Sequence, residues 1–143
     1  MTDSAKHSVS VAGIVVDDAG RALLVRRRDN GHWEPPGGIL ELDDSIHDGL
    51  RREVREETGL DVEPERLTGV YKNMTRGIVV LVFRCHITGG ELSTGPESAA
   101  FRWAGPGEIR SLTSEAYAIR VVDALTEPPA APAVREHDGV SLL

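Results

Sequence analysis

At 143 residues the chain is long enough for one domain with a real core and too short for two comfortable ones. A formal charge of −7, from 16 basic and 23 acidic residues, argues against a sequence-independent grip on nucleic acid and is compatible with an acidic, cation-dependent site. Cys85 is the only cysteine, which excludes an intrachain disulfide and a cysteine metal cluster; it reads as a buried, inert thiol. No signal core follows the N-terminus and no run approaches the roughly 18 apolar residues of a membrane span, so a reducing cytoplasm is the default compartment.

Residues 1–7 are polar and read as a flexible N-terminus. "SVSVAGIVVDDAGRALLVRRR" is two β-branched, apolar runs around the turn "DDAG", which predicts a hairpin. "DNGHWEPPGG" is rich in turn residues and predicts irregular chain with a short extended piece near Trp33. Ser45–Thr58 is the strongest helix candidate: Ser45 can cap it, Asp48 completes a variant capping box, and Gly59 supplies a left-handed stop.

"LTGVYKNM" and "GIVVLVFRCHI" read as strands on either side of "TRG", and "AAFRWAG" as another. "PGEIRSL" begins with Pro106, where a helix tolerates proline. Ser114–Thr126 predicts a second helix, with Ala116, Ile119, Val122 and either Val121 or Leu125 as its apolar stripe. From Glu127 to Leu143 the Pro/Ala-rich sequence reads as a flexible tail, packed in part by Leu142 and Leu143. Mixed strands and two helices on one core predict an α/β/α arrangement with a domain over residues 8–126.

Within the first helix, "RREVREETGL" sets Glu53, Glu56 and Glu57 close together. At about 100° per residue from Ile46, Leu50 and Val54 define the core face. Asp48, Arg51, Arg52 and Arg55 fill the solvent arc, and the three acids fall over or beside the apolar stripe. Glu53 and Glu57 are a like-charge i,i+4 pair. Partly buried, at an effective dielectric near 20, their repulsion approaches roughly 3 kcal/mol. A held proton, crowding arginines or a divalent cation would relieve it; clustered oxygens suit Mg²⁺ or Mn²⁺. Arg52 can reach Glu56, but one arginine does not neutralise three acids. Upstream, Gly37 and Gly38 let backbone approach a bound ion or phosphate.

This pattern resembles the Nudix hydrolase signature. Gly38, Arg52, Glu53, Val54, Glu56, Glu57, Gly59 and Leu60 match eight of nine specified positions across 23 residues, and Asp44 stands where the signature has Glu. The resemblance extends over residues 8–126 and implies an α/β (α+β) fold, a Nudix-like α/β/α sandwich with a central mixed β-sheet and a loop-helix-loop. It implies Mg²⁺ (or Mn²⁺) on the diphosphate of a small-molecule nucleoside diphosphate derivative, held by Glu53, Glu56, Glu57 and a backbone carbonyl at Gly37 or Gly38. Glu97 is the candidate for a further acid from a later loop. Glu56 or Glu57 would help activate water, and Arg52 would orient a catalytic glutamate from behind. Asp44 is expected to keep the loop geometry with one methylene fewer.

Substrate choice lies outside the signature. Arg26, Arg27 and Arg28 are candidates for phosphate contacts, although alternation lets only some of them face a cleft. Trp33, Tyr71, Asn73, Met74 and Arg76 could line a base-binding cleft, with packing the competing role for Trp33 and Tyr71. Downstream of Gly59, Met74–Arg76 stands where ADP-ribose hydrolases carry a proline and the diadenosine polyphosphate class a tyrosine. The reading that follows is a pyrophosphohydrolase, with a catalytically weak nucleotide-sensing module as the alternative. Neither nucleic acid nor membrane is expected as a partner. The resemblance allows a homodimer.

Overall fold

Local chemistry sets the helix that carries the acids. In the computed structural model, which describes residues 5–126 and 131–143, α1 runs Ile46–Thr58. Ser45 sits in extended backbone ahead of it, and its hydroxyl accepts the Asp48 N–H at 3.3 Å. Gly59, at φ 82°, ends the helix in the left-handed region with its N–H on the Arg55 carbonyl.

The strands are β1 (Ser8–Val15), β2 (Ala22–Arg27), β3 (Trp33–Glu34), β4 (Gly37–Ile39), β5 (Leu60–Asn73), β6 (Ile78–Gly90), β7 (Ser98–Ala104) and β8 (Ala133–His137). Two more helices, α2 (Ile109–Leu112) and α3 (Glu115–Leu125), lie between β7 and β8. A five-stranded mixed sheet has the order β4-β1-β6-β5-β8, and a three-stranded antiparallel sheet the order β3-β2-β7.

Alternation along β1 divides the core between two helix layers. Val11 and Val15 pack with Leu50 and Val54 of α1, together with Leu23, Phe83 and Cys85. Ala12 and Ile14 face the other way, onto Ile109, Ala118, Ile119 and Val121 of α2 and α3. Helices therefore cover both sides of the strands, as the sequence predicts. Fully burying side chains such as Leu50 and Val54 stabilises the fold by about 1.5–3 kcal/mol each. Burial also pushes the Cys85 thiol up to about 12, so it stays protonated and inert.

Three expectations need correction. The β1–β2 hairpin exists only at its tip: Val16 bridges Ala22, and Asp17 accepts the Ala19 and Arg21 amides, but the two strands then join different sheets. Strand β5 begins directly after Gly59 rather than near Leu67, accommodating Pro64 through register shifts. The expected flexible tail is ordered where it is described. Strand β8 adds parallel to β5, and Arg135 clamps both oxygens of Asp123 at 2.8 Å. The buried Tyr71 hydroxyl donates to the same carboxylate at 2.7 Å. Leu142 packs on the α3-side core, whereas Leu143 is exposed; residues 127–130 of the expected tail lie outside the described residues.

Candidate active site

The loop between β4 and α1 folds back on the helix through one arginine. Arg52 Nη2 donates to Asp44 Oδ2 at 2.6 Å, and its Nη1 reaches Glu53 Oε1 at 3.0 Å and Glu56 Oε2 at 3.4 Å. Asp44 also accepts the Glu41 N–H at 3.1 Å, and its bond to Arg52 holds its carboxyl below the usual range. The shorter side chain still spans the distance. Arg52 is thus half-buried and bridges loop to acids, rather than lying on the solvent arc.

Glu53 and Glu57 turn toward β4. A Cβ on Gly38 would collide with the Glu53 carboxylate, so glycine is what lets that side chain lie against the strand. The Gly37 N–H donates to Glu57 Oε2 at 3.3 Å. Behind Glu57, the Ser98 hydroxyl holds its backbone carbonyl at 2.7 Å and so ties α1 to β7. Burial raises the Glu53 carboxyl above its ordinary range. It pushes Glu57 up to about 8, with the charges of Glu53 and Glu97 adding to the rise.

Glu56 differs from the expectation of three inward acids, because its side chain is 60% exposed. The buried face centres on Leu50, Val54 and Thr58, while Ile46 is 43% exposed. Measured from Val54, Glu56 stands about 160° around the wheel. It occupies the rim, tethered by Arg52.

Glu57 and Glu97 line one small pocket with Val25, Arg27, Glu34, Pro35, Gly37 and Ser98. Among the described residues no three His, Cys, Asp or Glu side chains already form a metal cage. The donor set nonetheless fits a hard dication: two desolvated carboxylates with raised affinity for protons, a third at the rim, and Glu97 acting on both. An ion that keeps part of its water and shares substrate oxygens does not require a closed protein cage.

Of the expected substrate residues, Asn73 lines a cavity of about 240 Å³ that adjoins the acid pocket, sharing Arg27, Glu34, Pro35 and Gly37 with it. Trp33 lines a neighbouring cavity of about 400 Å³ and lies under the Arg26 guanidinium, 5.9 Å from its ring centre. Arg28 instead donates to the Gly95 carbonyl at 2.7 Å, and Arg76 is exposed in the β5–β6 turn. Tyr71 is completely buried and cannot touch a substrate. Arg27 reaches the site where Arg26 and Arg28 do not, because alternation on β2 puts it on the face of Val25.

The sequence reading missed Glu34, Tyr117, Arg120 and His137, which also line the 240 Å³ cavity. Arg120 carries a signal: it stands between Ala116 and Ala124 on one line of α3, a cation on an apolar face.

Comparison with known proteins bears on the same residues. The family model described as "NUDIX domain" matches residues 6–125. The chain is 57% identical over 137 residues to a "MutT-like protein" of Streptomyces ambofaciens, covering 96% of this chain and 88% of that one. It is 34% identical over 98 residues to an "ADP-ribose pyrophosphatase" of Methanocaldococcus jannaschii, covering 64% of this chain and 57% of the relative. The crystal structure of a UDP-X diphosphatase superposes with a TM-score of 0.79 at 22% identity, over 93% of this chain and 69% of that one, a likeness of fold.

Proposed function

Because this chain belongs to the Nudix family, we propose that it hydrolyses the diphosphate linkage of a nucleoside diphosphate joined to a further group X. The observation that carries the reading is the pair Glu53 and Glu57, desolvated against the Gly37–Gly38 strand, with Glu57 lining a small pocket that adjoins the 240 Å³ cavity. The name of one relative supports it: "ADP-ribose pyrophosphatase" describes cleavage of a diphosphate in a nucleoside diphosphate joined to a further group.

In this reading Glu53, Glu56 and Glu57 hold Mg²⁺ or Mn²⁺, with a backbone carbonyl at Gly37 or Gly38 and with Glu97 from the segment before β7. A bound dication supplies charge neutralisation for the diphosphate oxygens and acidifies a water molecule. The protein's own groups do the rest. Arg52 fixes the carboxylates of Glu53 and Glu56 at 3.0 and 3.4 Å, which limits their freedom before substrate arrives. Asp44 fixes Arg52. Glu56 or Glu57 takes the proton of the attacking water. Arg27 stands at the junction of acid pocket and cavity, where a phosphate oxygen would pass.

Formation of nucleoside monophosphate and phospho-X from a panel of nucleoside diphosphate derivatives with Mg²⁺, compared between the wild type and Glu56→Gln, tests this. Turnover that falls by about 100-fold or more in the variant supports the assignment. Equal turnover removes it, and tight binding without turnover makes the protein a nucleotide sensor.

A further inference from the structure

Helix α3 buries one cation, Arg120, that makes no salt bridge among the described residues, with Glu34 as an acid lining the same cavity. Arg120 is 6% exposed, and its guanidinium lies between the rings of Tyr71, 5.5 Å away, and Tyr117, 4.5 Å away. Aromatic faces favour a cation but leave its N–H groups unbonded. Among the described residues Nε has no hydrogen-bond partner, and Nη2 lies 3.4 Å from His137 Nε2.

That last contact is mismatched. His137 Nδ1 accepts the Gly139 N–H at 2.9 Å, so the proton of the neutral ring resides on Nε2. The Nε2–H and the Arg120 Nη2–H then face one another, two donors with no acceptor between them. Both residues line the 240 Å³ cavity. Asn73 lines it too. Its Oδ1 already accepts the Thr75 and Arg76 amides, which leaves its NH₂ group as a further donor. The carboxylate of the same cavity is the half-buried Glu34, shared with the acid pocket, with one oxygen 3.7 Å from Arg27 Nη1.

We propose that this cavity selects nucleobases presenting a carbonyl oxygen beside a ring N–H, with Arg120 and His137 taking the oxygen and Glu34 the N–H. Guanine, hypoxanthine and uracil have that edge. Adenine and cytosine present an amino group beside an unprotonated nitrogen, which sets donor against donor and lone pair against carboxylate. An anionic phosphate belongs at the Arg27 end of the cavity, which adjoins the acid pocket, and the base at the Arg120 end. The inference rests on the nucleotide reading above, and it deepens that reading by naming the base. His137 arrives on β8, beyond the matched residues 6–125, whereas Glu34 and Arg120 lie within them.

Binding of GMP, IMP and UMP against AMP and CMP to the metal-free full chain, followed by calorimetry, provides the test. The first three should bind at least about ten-fold tighter, because a mismatched base leaves buried polar groups unpaired. Arg120→Met should abolish the preference. Should that variant fail to fold, Glu34→Gln gives the answer: an amide both donates and accepts, so the preference should shrink to about three-fold or less. Equal binding of all five, no binding of any, or an unchanged preference in Glu34→Gln overturns the proposal. Hydrolysis without base preference sinks this inference and spares the reaction; base-selective binding without hydrolysis does the reverse.

Discussion

Asp44 Oδ2 accepts a 2.6 Å hydrogen bond from Arg52 Nη2, and through that arginine the loop after β4 is joined to Glu53 and Glu56. Where the signature specifies a glutamate at this position, the shorter aspartate makes the contact directly. The bond works by position: it holds the guanidinium that holds the acids.

Removing the anchor should therefore cost rate before stability. Asp44→Ala should lower kcat by about 10- to 100-fold, since small displacements of catalytic groups carry penalties of that size. Asp44→Glu should retain most activity. Steady-state kinetics on both, with melting curves alongside, separates misplacement from unfolding; full activity in Asp44→Ala would show that Arg52 needs no anchor.

Gly38→Ala tests the approach of Glu53 to the strand. The added methyl meets the end of a flexible carboxylate rather than backbone, so Glu53 must swing away while the fold persists. Activity should drop by about 100-fold, with little change in melting temperature. A variant as active as the wild type would place Glu53 outside the chemistry.

Burial of Glu57 has a pH signature. Its folded-state affinity for a proton, near 8, exceeds the ordinary carboxylate value of 4.5. The folded state thus binds the extra proton between these values, and this contribution to stability is present at pH 4.5 and lost as pH rises through 8. His137 works oppositely: burial lowers its value below 6.5, so its neutral form costs stability as pH falls through that region. Comparison with Glu57→Gln cancels the histidine. In EDTA the variant should gain melting temperature relative to the wild type from pH 5 to 8, and Mg²⁺ should narrow the gap at pH 8. A gap independent of pH would contradict the burial of a titrating Glu57.

Two substitutions report on packing. Leu50→Ala should destabilise by about 2–5 kcal/mol, as a fully buried leucine leaves a cavity between α1 and β1. Asp123→Ala strands the buried Tyr71 hydroxyl and should cost about 1–3 kcal/mol. Urea denaturation checks both. A loss below about 0.5 kcal/mol in Asp123→Ala would mean that β8 is not secured there.

The parts of the molecule legible in the sequence are those set by neighbours along the chain. Ser45, Leu50, Val54 and Gly59 specify α1 through caps and a 3.6-residue period, and that period also turns Glu53 and Glu57 inward. Glu56 lies away from its expected place because tertiary packing centres the buried face on Leu50, Val54 and Thr58, which leaves Glu56 at the rim. The β1–β2 hairpin failed for a similar reason, since alternation names a strand but not its partner. Strand β8 was hidden by its Pro/Ala-rich approach, and only pairing with β5 makes "AVREH" a strand. His137 and Glu34 meet Arg120 across three separate elements, a convergence that no local pattern records.

Manganese uptake tests the central claim most directly. Titration of the protein with Mn²⁺, followed by electron paramagnetic resonance with and without a nucleoside diphosphate, measures whether the inward carboxylates hold a dication. The account predicts saturable binding that nucleotide strengthens and that Glu57→Gln weakens by about ten-fold or more. Equal Mn²⁺ affinity in the wild type and Glu57→Gln, or no uptake by either, would contradict it.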